Sequence, residues 1–96
     1  MATGLNQYRN ITTATTTTCR TGAGILNYIT INKAVAAGVI TVYDNTAASG
    51  TKIATITEPN PLVQNWGTIP FGVAFKTGLT VVTGAADDLT ICWEPQ

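Results

Sequence analysis

The chain has 96 residues, no histidine, and five acidic against five basic side chains, so its formal net charge is zero. That length sustains one domain and not two. Neutrality leaves no electrostatic footprint for a phosphate backbone and no basic face for a membrane surface, so neither nucleic acid nor membrane is expected as a partner.

Threonine supplies about a fifth of the chain, well above ordinary usage. Its β-branched carbon suits a pleated strand and disfavours helix. Its hydroxyl keeps a strand face soluble without charge, and a neutral polar face loses less on desolvation than one of Lys and Glu.

Residues 1–20 read as an N-terminal arm or edge strand, ahead of a single domain over residues 21–96. Met1 to Asn10 carries Leu5 and Tyr8 as its anchors, and Arg9 to Arg20 contains the β-prone run Ile11-Thr12-Thr13-Ala14-Thr15-Thr16-Thr17-Thr18-Cys19. Such a segment suits an edge strand or an extension that pairs with another chain. Leu5, Tyr8, Arg9 and Ile11, together with Trp66 further on, are the expected protein-interface residues. On this reading, deleting Met1 to Thr18 abolishes attachment to a partner while the remainder still folds.

Thr21-Gly22-Ala23-Gly24 is a turn or bulge. Ile25 to Asn32 then alternates, with Ile25, Asn27, Ile29 and Ile31 on one face and Leu26, Tyr28, Thr30 and Asn32 on the other. Lys33 to Gly38 is a connection too short for a stable helix. Val39 to Tyr43 is continuously β-branched, as a central strand is. The turn region Asp44 to Gly50 leads to another alternating stretch, Thr51 to Thr57. Glu58-Pro59-Asn60-Pro61 is a rigid connector. Leu62 to Trp66 is either a short edge strand or a loop whose Trp66 covers the core.

Ile69 to Lys76 reads as a strand with Phe71, Val73 and Phe75 on one face, and Pro70 restricts it to an edge. Leu79 to Thr83 and Leu89 to Trp93, joined by Gly84-Ala85-Ala86-Asp87-Asp88, read as a hairpin. Leu89, Ile91 and Trp93 should face inward, with Thr90, Cys92 and Glu94 opposite. The sum is an all-β fold, a small β-sandwich of jelly-roll or immunoglobulin-like type, with about seven to eight short antiparallel strands.

Without histidine there is no Ser-His-Asp or Cys-His constellation. Asp87 and Asp88 are adjacent, and neighbours on a strand point to opposite faces, so the two carboxylates do not converge. Asp44 and Asn45 with Asp87 or Asp88 would suit Ca²⁺ if their loops met, but few carboxylates remain to fill its shell. Gly22-Ala23-Gly24 is followed by neither a helix nor a Gly-Lys-Ser/Thr, which argues against a phosphate loop. Asn10-Ile11-Thr12 fits a glycosylation sequon at chance level. No catalytic residue, cofactor, metal or small-molecule ligand is expected, and the chain does not read as an enzyme. Cys19 and Cys92 match no metal or redox spacing. With no secretory leader visible over Met1 to Asn6, free thiols are expected, although the two cysteines lie near opposite chain ends and end strands often neighbour each other in a sandwich.

Three blocks carry a resemblance. The first is Gly22-Ala23-Gly24-Ile25-Leu26-Asn27-Tyr28-Ile29-Thr30-Ile31-Asn32-Lys33. The second runs from Ile40-Thr41-Val42-Tyr43-Asp44-Asn45 through Ser49-Gly50-Thr51-Lys52-Ile53. The third is Phe75-Lys76-Thr77-Gly78-Leu79-Thr80-Val81-Val82-Thr83-Gly84, followed by Leu89-Thr90-Ile91. In this order they resemble small β-sheet virion proteins of tailed bacteriophages, over about three quarters of the chain. The resemblance implies a virion structural protein made in the host bacterial cytoplasm. Its expected role is capsid decoration, or cementing: a homotrimer that docks on the major capsid protein from outside the shell. A tail or fibre module that binds host-surface glycans is the alternative from another class, and a non-virion assembly chaperone is a third. No catalytic residues are implied.

Overall fold

The stretches rich in threonine and β-branched residues are mostly extended in the computed structural model, which describes residues 6–59 and 67–96, but the threonine run after Arg9 is not one strand: residues 12–15 bend and divide it in two. Eight strands result: β1 (Gln7–Ile11), β2 (Thr16–Thr21), β3 (Gly24–Lys33), β4 (Val39–Asp44), β5 (Thr51–Thr57), β6 (Thr68–Phe75), β7 (Gly78–Thr83) and β8 (Asp88–Pro95). They form two four-stranded sheets of order β1-β8-β3-β6 and β2-β7-β4-β5, with every pairing antiparallel. Successive strands change sheet at each step except β4 to β5. Eight strands in these two orders make a jelly roll.

One layer contributes Ile11, Leu26, Ile29, Ile31, Phe75, Leu89, Ile91 and Trp93 to the core, and the other contributes Ile40, Val42, Leu79 and Val81. Cys19, Ile53, Ile56, Ile69 and Phe71 pack against its margin. β8 buries Leu89, Ile91 and Trp93 inward, as its alternation predicts.

The structure departs from simple alternation in three places. On β3 the residues inside are Leu26, Ile29 and Ile31, not Ile25, Ile29 and Ile31. Leu26 and Tyr28 lie opposite the adjacent residues Trp93 and Cys92, so Asn27 is the extra residue of a bulge that swaps the faces. On β6, Phe75 is buried and Phe71 reaches the core margin, while Val73 is exposed. The pairing there skips from Val73 to Pro70 opposite Leu26 and Tyr28, and Gly72 sits at φ 65°, a backbone that glycine adopts without strain. Finally, β7 and β8 are not a hairpin. They belong to different sheets, and residues 84–87 turn a corner between the layers. Good turn chemistry between two alternating runs does not distinguish a hairpin from such a corner.

Residues 7–21 are part of the sandwich itself, because β1 and β2 are edge strands, one in each sheet. Thr83 fastens the link between them: its hydroxyl donates to Thr13 O (2.6 Å) and accepts from Thr15 N (3.0 Å). Deleting residues 1–18 therefore removes β1 and half of β2 along with buried Ile11, so such a truncation does not spare the fold.

The turn after β4 lies over the outer face of β7. Thr80 Oγ1 donates to Asn45 O (2.8 Å), and Thr18 Oγ1 donates to Thr46 O (3.2 Å). Gly78 allows this approach, since a Cβ there would fall within 3.0 Å of Arg20 O, Asn45 O and Thr46 Cγ2. Asp44 completes the junction by accepting from Lys76 N (3.0 Å) and Thr77 N (2.9 Å). Burial works against its charge, but these backbone donors outweigh it and hold the Asp44 carboxyl below its ordinary value.

Two predictions follow from this packing. Ile31→Ala or Val42→Ala should each cost about 2–5 kcal/mol by urea denaturation, a large share of the ~5–15 kcal/mol a small domain has. Asp44→Ala should cost about 1 kcal/mol at neutral pH, because the half-exposed carboxylate loses charge-assisted bonds. A depressed carboxyl stabilises the fold above its unfolded value, and that contribution is lost as pH falls through its folded value. The melting-temperature gap between wild type and Asp44→Ala should therefore narrow as acid protonates Asp44, at a pH below the ordinary carboxyl value.

Candidate assembly face and open edge

Two rows of side chains cross the outer face of the β1-β8-β3-β6 sheet. Asn10, Thr90, Thr30 and Thr68 lie in register in the first. Tyr8, Cys92, Tyr28 and Pro70 lie in register in the second. The first row is knitted by side-chain hydrogen bonds. Asn10 Nδ2 donates to Asp88 Oδ1 (2.8 Å) and Leu89 O (2.8 Å), Asn32 Nδ2 donates to Asp88 Oδ1 (3.1 Å), and the Thr30 and Thr68 hydroxyls are 2.9 Å apart. The Asn10 and Asn32 amides hold the Asp88 carboxyl below its ordinary value.

The second row is aromatic. Tyr8 is 74% exposed, the most of any large apolar residue described, and Tyr28 is also exposed. Between them Cys92 is 4% exposed although it points away from the core. The neighbouring Cys92 thiol keeps the Tyr28 phenol above its ordinary value.

The four edge strands differ in how well they are guarded. β6 carries Pro70 and a bulge. β5 has a register shift beside Lys52, and β2 has one at Cys19. Each device discourages further pairing. β1 alone pairs with its neighbour through all five residues without a shift and contains no proline. Its outer edge is the straight row of backbone groups on which another strand can add.

Of the interface residues expected from sequence, Tyr8 and Arg9 lie exposed on β1. Ile11 does not belong with them: at 4% exposure its side chain is in the core, opposite Leu89. Leu5 and Trp66 lie outside the described residues, as does the stretch Leu62 to Trp66. Tyr28 and Cys92 complete the outer row and were legible only as the non-core parity of β3 and β8. Arg9, Ile11, Thr13, Thr15 and Thr17 line a polar groove of about 380 Å³ along the β1–β2 connection.

Both cysteines are free. Burial pushes the Cys19 thiol up to about 11, with Arg9 partly opposing it. Among the described residues no three His, Cys, Asp or Glu side chains come together as a metal site. The oxygens considered for Ca²⁺ are separated, since Asp44 is engaged by the β6–β7 turn and Asp88 by Asn10 and Asn32. Native protein should react with a thiol reagent such as DTNB much more slowly than unfolded protein, in which both thiols label at once. Equal rates in the two states would contradict this placement of Cys19 and Cys92.

No family model matches the chain, and no curated protein matches it. A solved chain from work on Bacillus endospore appendages, described as a novel family of disulfide-linked pili, is similar at 15% identity. The match covers 98% of this chain and 87% of that one, with a TM-score of 0.48, a likeness too distant to bear on function.

Proposed function

We propose that the chain is a structural protein that assembles with copies of itself and docks on a larger shell. In its finer form, the proposal is a capsid decoration protein of a tailed bacteriophage, a homotrimer bound to the major capsid protein from outside. The observation that carries the reading is the unguarded β1 edge beside exposed Tyr8, on an outer face of amides, hydroxyls and phenols in which the Asp88 carboxylate is tied down by Asn10 and Asn32. Strand addition at such an edge supplies main-chain hydrogen bonds without charge complementarity. A lattice of copies turns modest single-site affinity into firm attachment. Jelly rolls serve in viral capsids and in lectins, but a fold alone does not assign a role. The motif resemblance to virion proteins is what favours the shell.

The exposed Tyr8 and Tyr28 also suit a second reading, a tail or fibre module that stacks sugars on phenol rings. Binding on a glycan array would favour it, and copy numbers matching a capsid lattice would exclude it. Tyr8→Ala should leave the melting temperature nearly unchanged, since so exposed a side chain carries little folding energy. It should weaken attachment to stripped particles roughly tenfold or more, the loss expected of an aromatic anchor. Wild-type affinity in Tyr8→Ala would remove Tyr8 and the β1 side of this face from the proposal.

A further inference from the structure

The charge pattern hides a second acid pair. Glu58 follows β5 directly and Asp87 directly precedes β8, and they are 1% and 0% exposed. Asp87 Oδ2 accepts from Val35 N (3.3 Å). Asp87 Oδ1 and both Glu58 oxygens have no hydrogen-bond partner among the described residues. Three loops meet here. Glu58 N donates to Gly38 O (2.8 Å), and Ala37 N donates to Pro59 O (3.3 Å). Gly38 leaves the space in which the carboxylates approach. A Cβ on it would overlap Glu58 Oε1 and would lie 3.2 Å from Asp87 Oδ1 and 3.0 Å from Val35 O.

Two adjacent buried carboxylates cannot both ionise without a compensating cation. None of the described side chains supplies it. Lys33, at the end of β3, is drawn to Asp88, which Asn10 and Asn32 hold on the outer face of the sheet. Arg20 donates to Ala23 O and Gln96 O. Residues 60–66 contain no titratable side chain. Two carboxylates and one carbonyl also fall short of the about six to eight oxygens that Ca²⁺ takes. One hydrogen between them, on a Glu58 oxygen and pointing at Asp87 Oδ1, would engage two of the three orphaned oxygens.

We propose that Glu58 and Asp87 share a single proton, donated from a Glu58 oxygen to Asp87, and that this acid pair is a pH-sensitive clamp on the loops at residues 34–38, 58–59 and 84–87. It stands independently of the proposed role. Burial first, and then contact with Asp87, push Glu58 up to about 7, with the Val35 N–H opposing. A raised carboxyl is stabilising while protonated. The contribution is full below the ordinary value of 4.5 and is lost as pH rises toward about 7. Above neutrality the pair carries two charges, and the three loops are pushed apart.

The test uses the full chain. Carbon-13 NMR of its five carboxyl side chains should show one midpoint near neutrality, belonging to Glu58. The wild-type melting temperature should fall as pH rises from 4.5 to about 7 and then level off. Glu58→Gln, which donates an N–H in place of the shared proton, should lack that fall, and Asp87→Asn should behave likewise. A titration in which no carboxyl has its midpoint near neutrality would overturn the proposal. So would an unchanged pH profile in Glu58→Gln. A rise in wild-type melting temperature on adding CaCl₂ at pH 8, absent in Glu58→Gln, would assign the pair to a divalent cation instead. If neither variant folds, the wild-type NMR titration decides alone.

Discussion

Burial of one sheet against the other governs this molecule. Neither layer is stable by itself, since each has one apolar face, and the chain crosses between layers at almost every connection. Leu26, Ile29 and Ile31 of β3 and Leu89 and Ile91 of β8 meet Ile40 and Val42 of β4 and Leu79 and Val81 of β7. These four strands are central in their sheets, so losing one opens both layers. A domain of this length buries only about two thirds of the surface its unfolded chain exposes. Buried threonines such as Thr80 and Thr83 are affordable only because loop carbonyls satisfy their hydroxyls.

Much of this was legible in the sequence. The continuous Val39-Ile40-Thr41-Val42 run belongs to a central strand, Pro70 lies on an edge strand, and the parity of Leu89, Ile91 and Trp93 is the observed one. The wrong face assignments on β3 and β6 have one physical origin, which is that two-residue periodicity breaks at a bulge. Asn27 and Gly72 each shift the parity, so Leu26 enters the core and Val73 leaves it. Strand partners are a different matter. Gly84 to Asp88 has the composition of a hairpin turn, and only the long-range pairing of β8 with β1 and β3 tells it from a corner between layers.

The surface was half legible. The composition implied neutral faces, and Tyr8 and Arg9 are exposed on β1, but Ile11 in the same strand serves the core. The acid pair of Glu58 and Asp87 left no signal, because its members are 29 residues apart and sit in segments whose composition suggests solvent. Asp88, beside Asp87, has the opposite environment: a half-exposed carboxylate bonded to Asn10 and Asn32, next to a fully buried one. Together these features describe a domain whose inside is closed by aliphatic packing and whose described edge strands include one, β1, without a guard.

Amide hydrogen exchange over Gln7–Ile11 tests that account most directly, measured on free protein and on the protein within purified particles. Docking through β1 predicts that amides facing away from β8 exchange fast in the free chain and become protected on assembly. Unchanged exchange along β1, in protein demonstrably part of the particle, would contradict it.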